Sequence, residues 1–95
     1  MYLITRTKDF EKSYKRVKQS GQLKKQAKDK LEEAINTLAL GKKLPLEYKD
    51  HQLNGELRYY RECHVRGDLL LVYRIQKEEL SVALVNLGTH SYLGI

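Results

Sequence analysis

Ninety-five residues, 41% apolar and 32% charged, suit a single folded domain spanning 1–95, because half that length approaches the ~40 residues below which a core alone seldom suffices. A lone cysteine, Cys63, excludes an internal disulfide framework and cysteine-based zinc modules, and suits a reducing compartment. No run approaches the ~20 apolar residues of a membrane span, and the net charge of +6 favours an anionic partner such as nucleic acid or an acidic protein segment.

Residues 2–6 are β-branched and aromatic and predict a first strand, after which Thr7 or Asp9 can cap a helix starting near residue 8. Phe10, Tyr14 and Val17 form its apolar stripe, and Gly21 marks its end. Leu23, Ala27, Leu31, Ala34, Ile35 and Leu38 keep helical spacing over a second helix, 22–40, stopped by Gly41. Residues 42–55 hold the only proline, Pro45, and no sustained period, which predicts a long loop carrying His51. From there the pattern becomes strands at 57–65, 69–75 and 80–87 with turns at 66–68 and 76–79, an antiparallel meander followed by a polar tail. The expected fold is a two-layer α+β arrangement, β-α-α-β-β-β. A helical hairpin covers one face of a small, mainly antiparallel sheet, and residues 69–72 lie in a central strand.

Charge and titratable chemistry fall in different halves. Residues 1–50 hold thirteen basic against seven acidic groups, whereas 51–95 hold five of each and all three histidines. A meander brings strand ends together, so His51 in the loop, His64 near a strand end, Asp68 at the turn and His90 after the last strand are expected to share a cleft. An imidazole near its ordinary pKa of ~6.5 gives or takes a proton at neutral pH. That suits RNA cleavage by ribose 2′-OH attack on the adjacent phosphate, which needs a base, an acid for the 5′-oxygen, and cations for the phosphorane.

Arg58, Arg61 and Arg66 flank His64, and Lys49 neighbours His51. Guanidinium forks bind phosphate through two parallel hydrogen bonds. The reaction needs no metal, and histidines 13 and 26 residues apart lack the short spacing usual in His-based metal sites, so no metal or cofactor is expected. Among Tyr48, Tyr59, Tyr60 and Tyr92, the last is the best candidate to stack on a base, while Tyr59 and Tyr73 read as ordinary strand residues. Cys63 points away from His64 by strand alternation and reads as an inert thiol. The helical lysines Lys24, Lys25, Lys28 and Lys30 form solvated faces whose long-range attraction is salt-sensitive.

Tyr48-Lys49-Asp50-His51, Leu53, Gly55, Tyr60-Arg61-Glu62-Cys63-His64-Val65, Asp68, Leu70-Leu71-Val72-Tyr73 and Gly88-Thr89-His90-Ser91 together closely resemble the YafQ branch of the RelE/ParE toxin superfamily over nearly the whole chain. The resemblance implies a RelE-like fold and a cytoplasmic toxin of a bacterial type II toxin–antitoxin module that cleaves mRNA in the ribosomal A site. It also implies a cognate antitoxin, acidic where it covers the active surface, operator DNA bound only through the toxin–antitoxin complex, and no membrane partner. The family's functional groups match His51, His64, Asp68 and His90. On this reading the histidines share base, acid and phosphate-binding roles and Asp68 orients one of them. Arg61 holds the scissile phosphate, with Lys49, Arg58, Arg66 and Tyr92 as further substrate contacts. Leu69 and Gly94 stand where members often carry aromatic residues, so base stacking is expected to be rearranged. Three alternatives share this composition: a ParE-type toxin acting on DNA gyrase, a ribosome-independent RNase, and an RNA-binding regulator without turnover.

Overall fold

The computed structural model describes residues 1–95. In chain order it contains β1 (Leu3–Arg6), α1 (Lys8–Gln19), α2 (Lys25–Ala39), β2 (His51–Gln52), β3 (Arg61–Arg66), β4 (Leu69–Gln76), β5 (Ser81–Gly88) and α3 (His90–Leu93), with 3-10 turns at Leu46–Tyr48, Gly55–Leu57 and Lys77–Glu79. The strands form one sheet in the order β1-β5-β4-β3-β2. β1 runs parallel to β5, and every other pair is antiparallel.

Thr7 starts α1 by accepting from the Phe10 amide at 3.1 Å, satisfying one of the free donors of the first turn. α1 buries Phe10, Ser13 and Val17, and α2 buries Ala27, Leu31, Ala34 and Leu38. Both stripes press on the same sheet face, where Cys63, Leu71, Tyr73 and Leu84 complete the core. Ser13 is the one buried polar group on that stripe. Its Oγ donates to the Phe10 carbonyl at 3.1 Å and accepts from the Leu87 amide at 3.0 Å, tying α1 to β5.

β4 is the central strand, and Leu69 to Tyr73 are all buried. Leu70 and Val72 lie outside the helix-side core, so the second sheet face also excludes water, as the unbroken apolar run requires. No helix is long and apolar enough to cross a membrane.

Several boundaries differ from the sequence expectation. α2 begins at Lys25 rather than 22, with no side chain capping its first turn. The loop between α2 and the meander is not irregular throughout, since it contains two 3-10 turns and the edge strand β2. The second of those turns delays the meander from residue 57 to Arg61. It is held by the Gln52 amide donating to the Arg58 carbonyl at 2.6 Å and by the Arg58 guanidinium donating to the Gly55 carbonyl at 3.3 Å. The polar tail folds into α3, because Thr89 caps it by accepting from the Tyr92 amide at 3.1 Å.

Gly88 lets that helix dock. A Cβ there would meet Tyr92 Cδ2 at 2.5 Å, well inside any tolerated contact. Gly88→Ala is expected to cost about 1–3 kcal/mol, as overpacking does. The measurement is the urea midpoint of the variant against wild type.

Candidate active site

Strand register builds the site. His51 pairs with Glu62, Glu62 with Val72 and Val72 with Asn86, so one row crosses the sheet on the face away from the helices. His64 follows Glu62 by two residues on that face, pairing with Leu70, which in turn pairs with Gly88. The turn after β3 supplies Asp68, and the capped start of α3 supplies His90.

The centre of the cluster is a residue that sequence reasoning did not select. Glu62 is only 3% exposed, yet its Oε1 lies 3.4 Å from His90 Nε2, 3.8 Å from His51 Nε2 and 3.9 Å from His64 Nε2. A buried carboxylate without partners is costly, and His90, the nearest of the three imidazoles and the one whose pKa Glu62 helps to raise, is its main partner. The position of Glu62 two residues before His64, between Arg61 and Cys63, was the available signal. An acidic side chain on the same strand face as a candidate histidine belongs to that histidine's environment.

The histidines differ in their second contacts. His51 Nδ1 lies 2.9 Å from the Lys49 carbonyl oxygen. A carbonyl only accepts, so Nδ1 carries the hydrogen and, in the neutral ring, Nε2 holds the free lone pair. His90 Nδ1 lies 2.8 Å from Asp68 Oδ1. That hydrogen bond is the main reason the His90 pKa is raised above its ordinary value; partial desolvation opposes the shift and the Glu62 charge adds to it. The His64 and His90 rings meet edge to face with centroids 5.9 Å apart. All four residues singled out by the sequence, His51, His64, Asp68 and His90, therefore sit in one constellation.

The predicted substrate contacts divide. Arg61 lies on the other side of the sheet, because alternation pairs it with Cys63 and its cross-strand partner is the helix-side Tyr73. Its guanidinium donates to Asp50 at 2.9 and 3.4 Å, and the Tyr73 hydroxyl donates to the same carboxylate. That clamp ties the loop carrying His51 to the sheet. The Asp50 hydrogen bond chiefly raises the Arg61 pKa, while burial and then Asp50 raise that of Tyr73. Arg61 thus departs from its predicted place on the scissile phosphate. Arg66 is exposed just past the bulge that follows His64, with no hydrogen bond or ion pair inside the chain.

Lys49 and Arg58 line a separate concavity of about 840 Å³ that also takes in Lys42, Lys43 and Lys77 and contains none of the histidines. The tyrosines divide too. Tyr48 is fully buried, its hydroxyl 2.9 Å from Glu33 Oε1, and Tyr92 is covered by the Arg16 guanidinium at 4.0 Å from its ring centroid. Tyr92 packs α3 over Gly88 and under Arg16 while staying 42% exposed. Cys63 is wholly buried, and burial pushes its thiol pKa up to about 12, which keeps it protonated.

A helical hairpin on a five-stranded mixed sheet, with histidines gathered on the open face, defines a RelE-like toxin of the α+β class. The chain belongs to the YafQ family of bacterial toxins of type II toxin–antitoxin systems, whose pattern it matches over residues 2–94. It is 34% identical over 89 residues to the mRNA interferase toxin YafQ of Escherichia coli K12, covering 92% of this chain and 85% of that one. A 60-residue match at 43% identity to a YafQ toxin relative of Haemophilus influenzae spans 61% of this chain and 59% of the relative.

Among solved structures, a metal-bound toxin from Helicobacter pylori superposes with a TM-score of 0.84 at 41% identity, covering 98% of this chain and 99% of that chain. YafQ in the E. coli DinJ–YafQ complex gives 0.80 at 28% identity, covering 98% of each. In the present chain no group of three or more His, Cys, Asp or Glu side chains is arranged to hold a metal ion.

Asp68→Asn is expected to lower the His90 pKa toward its ordinary value, read from the imidazole resonances in an NMR titration. The sign also sets a stability effect. With the folded pKa raised, the His90–Asp68 pairing contributes fully below the ordinary value of ~6.5 and fades as pH rises through the folded pKa. Asp68→Asn should therefore lower stability at acid pH more than at alkaline pH.

Proposed function

We propose that this chain is an endoribonuclease that cleaves mRNA in the ribosomal A site without a metal ion, and that His51 and His90 are its base and acid. The observation that carries the assignment is the difference in their Nδ1 partners. A carbonyl at Nδ1 leaves His51 Nε2 free to accept the 2′-OH proton, whereas a carboxylate at Nδ1 favours the imidazolium form of His90, able to protonate the leaving 5′-oxygen. His64, between them and against Glu62, and the unpaired Arg66 are suited to meet the extra negative charge of the phosphorane. Arg66 thus takes the phosphate-binding role first expected of Arg61. Asp68 is a positioning residue that fixes the His90 ring.

The His51 and His90 side chains are about half exposed, so a substrate can reach them from the surface. That fits a substrate presented by a larger body, as mRNA is on a ribosome. The YafQ of E. coli forms a complex with DinJ, and by kinship a cognate antitoxin is the partner here. The +6 charge and the lysine-lined concavity beyond the His51 loop support an acidic antitoxin segment. Operator DNA is then reached through that complex.

The test is cleavage of a defined mRNA by purified protein in EDTA, with and without translating ribosomes. Wild type should cleave only with ribosomes, and His51→Ala and His90→Ala should each lose roughly 10²–10⁴-fold in rate while staying folded. Growth arrest with intact mRNA would instead favour a gyrase-directed toxin. In single-turnover pH profiles, Asp68→Asn should move the alkaline limb to lower pH, because an acid with a lowered pKa loses its proton sooner.

A further inference from the structure

Four consecutive residues connect the helical layer to the proposed base. Tyr48 is fully buried, and its hydroxyl reaches Glu33 Oε1 at 2.9 Å and the Lys30 carbonyl at 3.2 Å, which pins it to α2. Two residues later Asp50 is pinned to the sheet, its carboxylate accepting from the Arg61 guanidinium at 2.9 Å and from the Tyr73 hydroxyl. His51 then opens β2 in register with Glu62. Lys49 has to span the gap between two fixed neighbours.

It does so in the left-handed region, at φ 49° and ψ 41°. A residue with a Cβ crowds the following carbonyl there, and among non-glycine residues only Lys49 and Leu80 have positive φ. Leu80 closes the turn between β4 and β5, whereas Lys49 stands two residues before the proposed base. Its carbonyl oxygen lies 2.9 Å from His51 Nδ1. The torsion ψ sets the direction of a residue's carbonyl, so a relaxation of Lys49 to extended backbone would swing that acceptor away from the ring. An imidazole without it is free to carry its hydrogen on either nitrogen, and only the form with Nε2 bare can take a proton there.

We propose that Tyr48 and Tyr73 are positioning residues for His51: by fixing the neighbours of Lys49 they keep it left-handed, and left-handed Lys49 keeps His51 in its Nδ1–H tautomer. The role of His51 as base rests on the endoribonuclease reading. Both tyrosines are 0% exposed and belong to the helix-side core, on the sheet face opposite the histidines, so neither touches substrate. Their rings fill the core, and their hydroxyls hold the two anchors. Replacement by phenylalanine separates the two contributions.

The experiment reads the imidazole nitrogens of isotope-labelled protein by NMR at a pH above the histidine titrations, together with single-turnover cleavage of mRNA on ribosomes. Wild type should show His51 with its hydrogen on Nδ1 and Nε2 bare. Tyr73→Phe should shift His51 toward the opposite tautomer and leave the tautomer of His90 unchanged. It should also slow cleavage roughly 10- to 100-fold at unchanged half-saturation, within the ~10² that a misplacement of about 1 Å costs. Tyr48→Phe should move the same signals in the same direction and carries the test if the Tyr73 variant fails to fold. Adding Lys49→Gly to Tyr73→Phe should return the His51 tautomer, since glycine takes positive φ without steric penalty; packing damage would not be repaired that way. A wild-type His51 with its hydrogen on Nε2, a His51 signal unmoved in a folded variant, or equal changes at His51 and His90 overturns the proposal. The nitrogen signals need no RNA, so RNA left uncut by wild type overturns the endoribonuclease reading alone, and the tautomer shift still decides the positioning role.

Discussion

One carboxylate organises the open face of this protein. Glu62 is buried in the middle of the sheet, and three imidazoles from three separate segments converge on it. A charge there is tolerable only with those partners in place. The edge pairing of β2, the position of His64 on β3 and the docking of α3 all serve the same centre. Leu70 and Val72 beside it are buried outside the core that α1 and α2 form.

Two aspartates near the site do different work because they stand on different sides of the sheet. Asp50 is committed to Arg61 and Tyr73 and fixes the loop that ends in His51, so it acts on the site through the backbone. Asp68 is 61% exposed and bonds His90 directly, so it acts through the proton affinity of that ring. The contrast also explains the arginines. Arg61, held by the half-buried Asp50, is structural, and Arg66, left free at the rim, is available to an anion.

Much of the architecture was legible in the residues. The Thr7 cap, the stripes of α1 and α2, and the buried run of β4 each follow from local periodicity, which depends only on neighbours three, four or two positions away. The parallel pairing of β1 with β5 was not legible. Nothing local marks Leu3–Arg6 as the partner of Ser81–Leu84; that pairing exists because the helical layer carries the chain across the sheet. β2 was hidden for a related reason, being two residues long and a strand only by its ladder to β3.

The site shows the same division. The sequence by itself pointed to His51, His64, Asp68 and His90 as neighbours, because ends of adjacent strands meet. It also put Cys63 on the face opposite His64, through alternation alone. Only the tertiary structure decided that Glu62 is the hub, that Arg61 faces the helices and is consumed by Asp50, and that Tyr92 is a packing ring under Arg16. Each of those outcomes turns on which side chain from a distant segment fills the adjacent space. Cross-strand register and the docking of α3 set that, and no spacing along the chain encodes it.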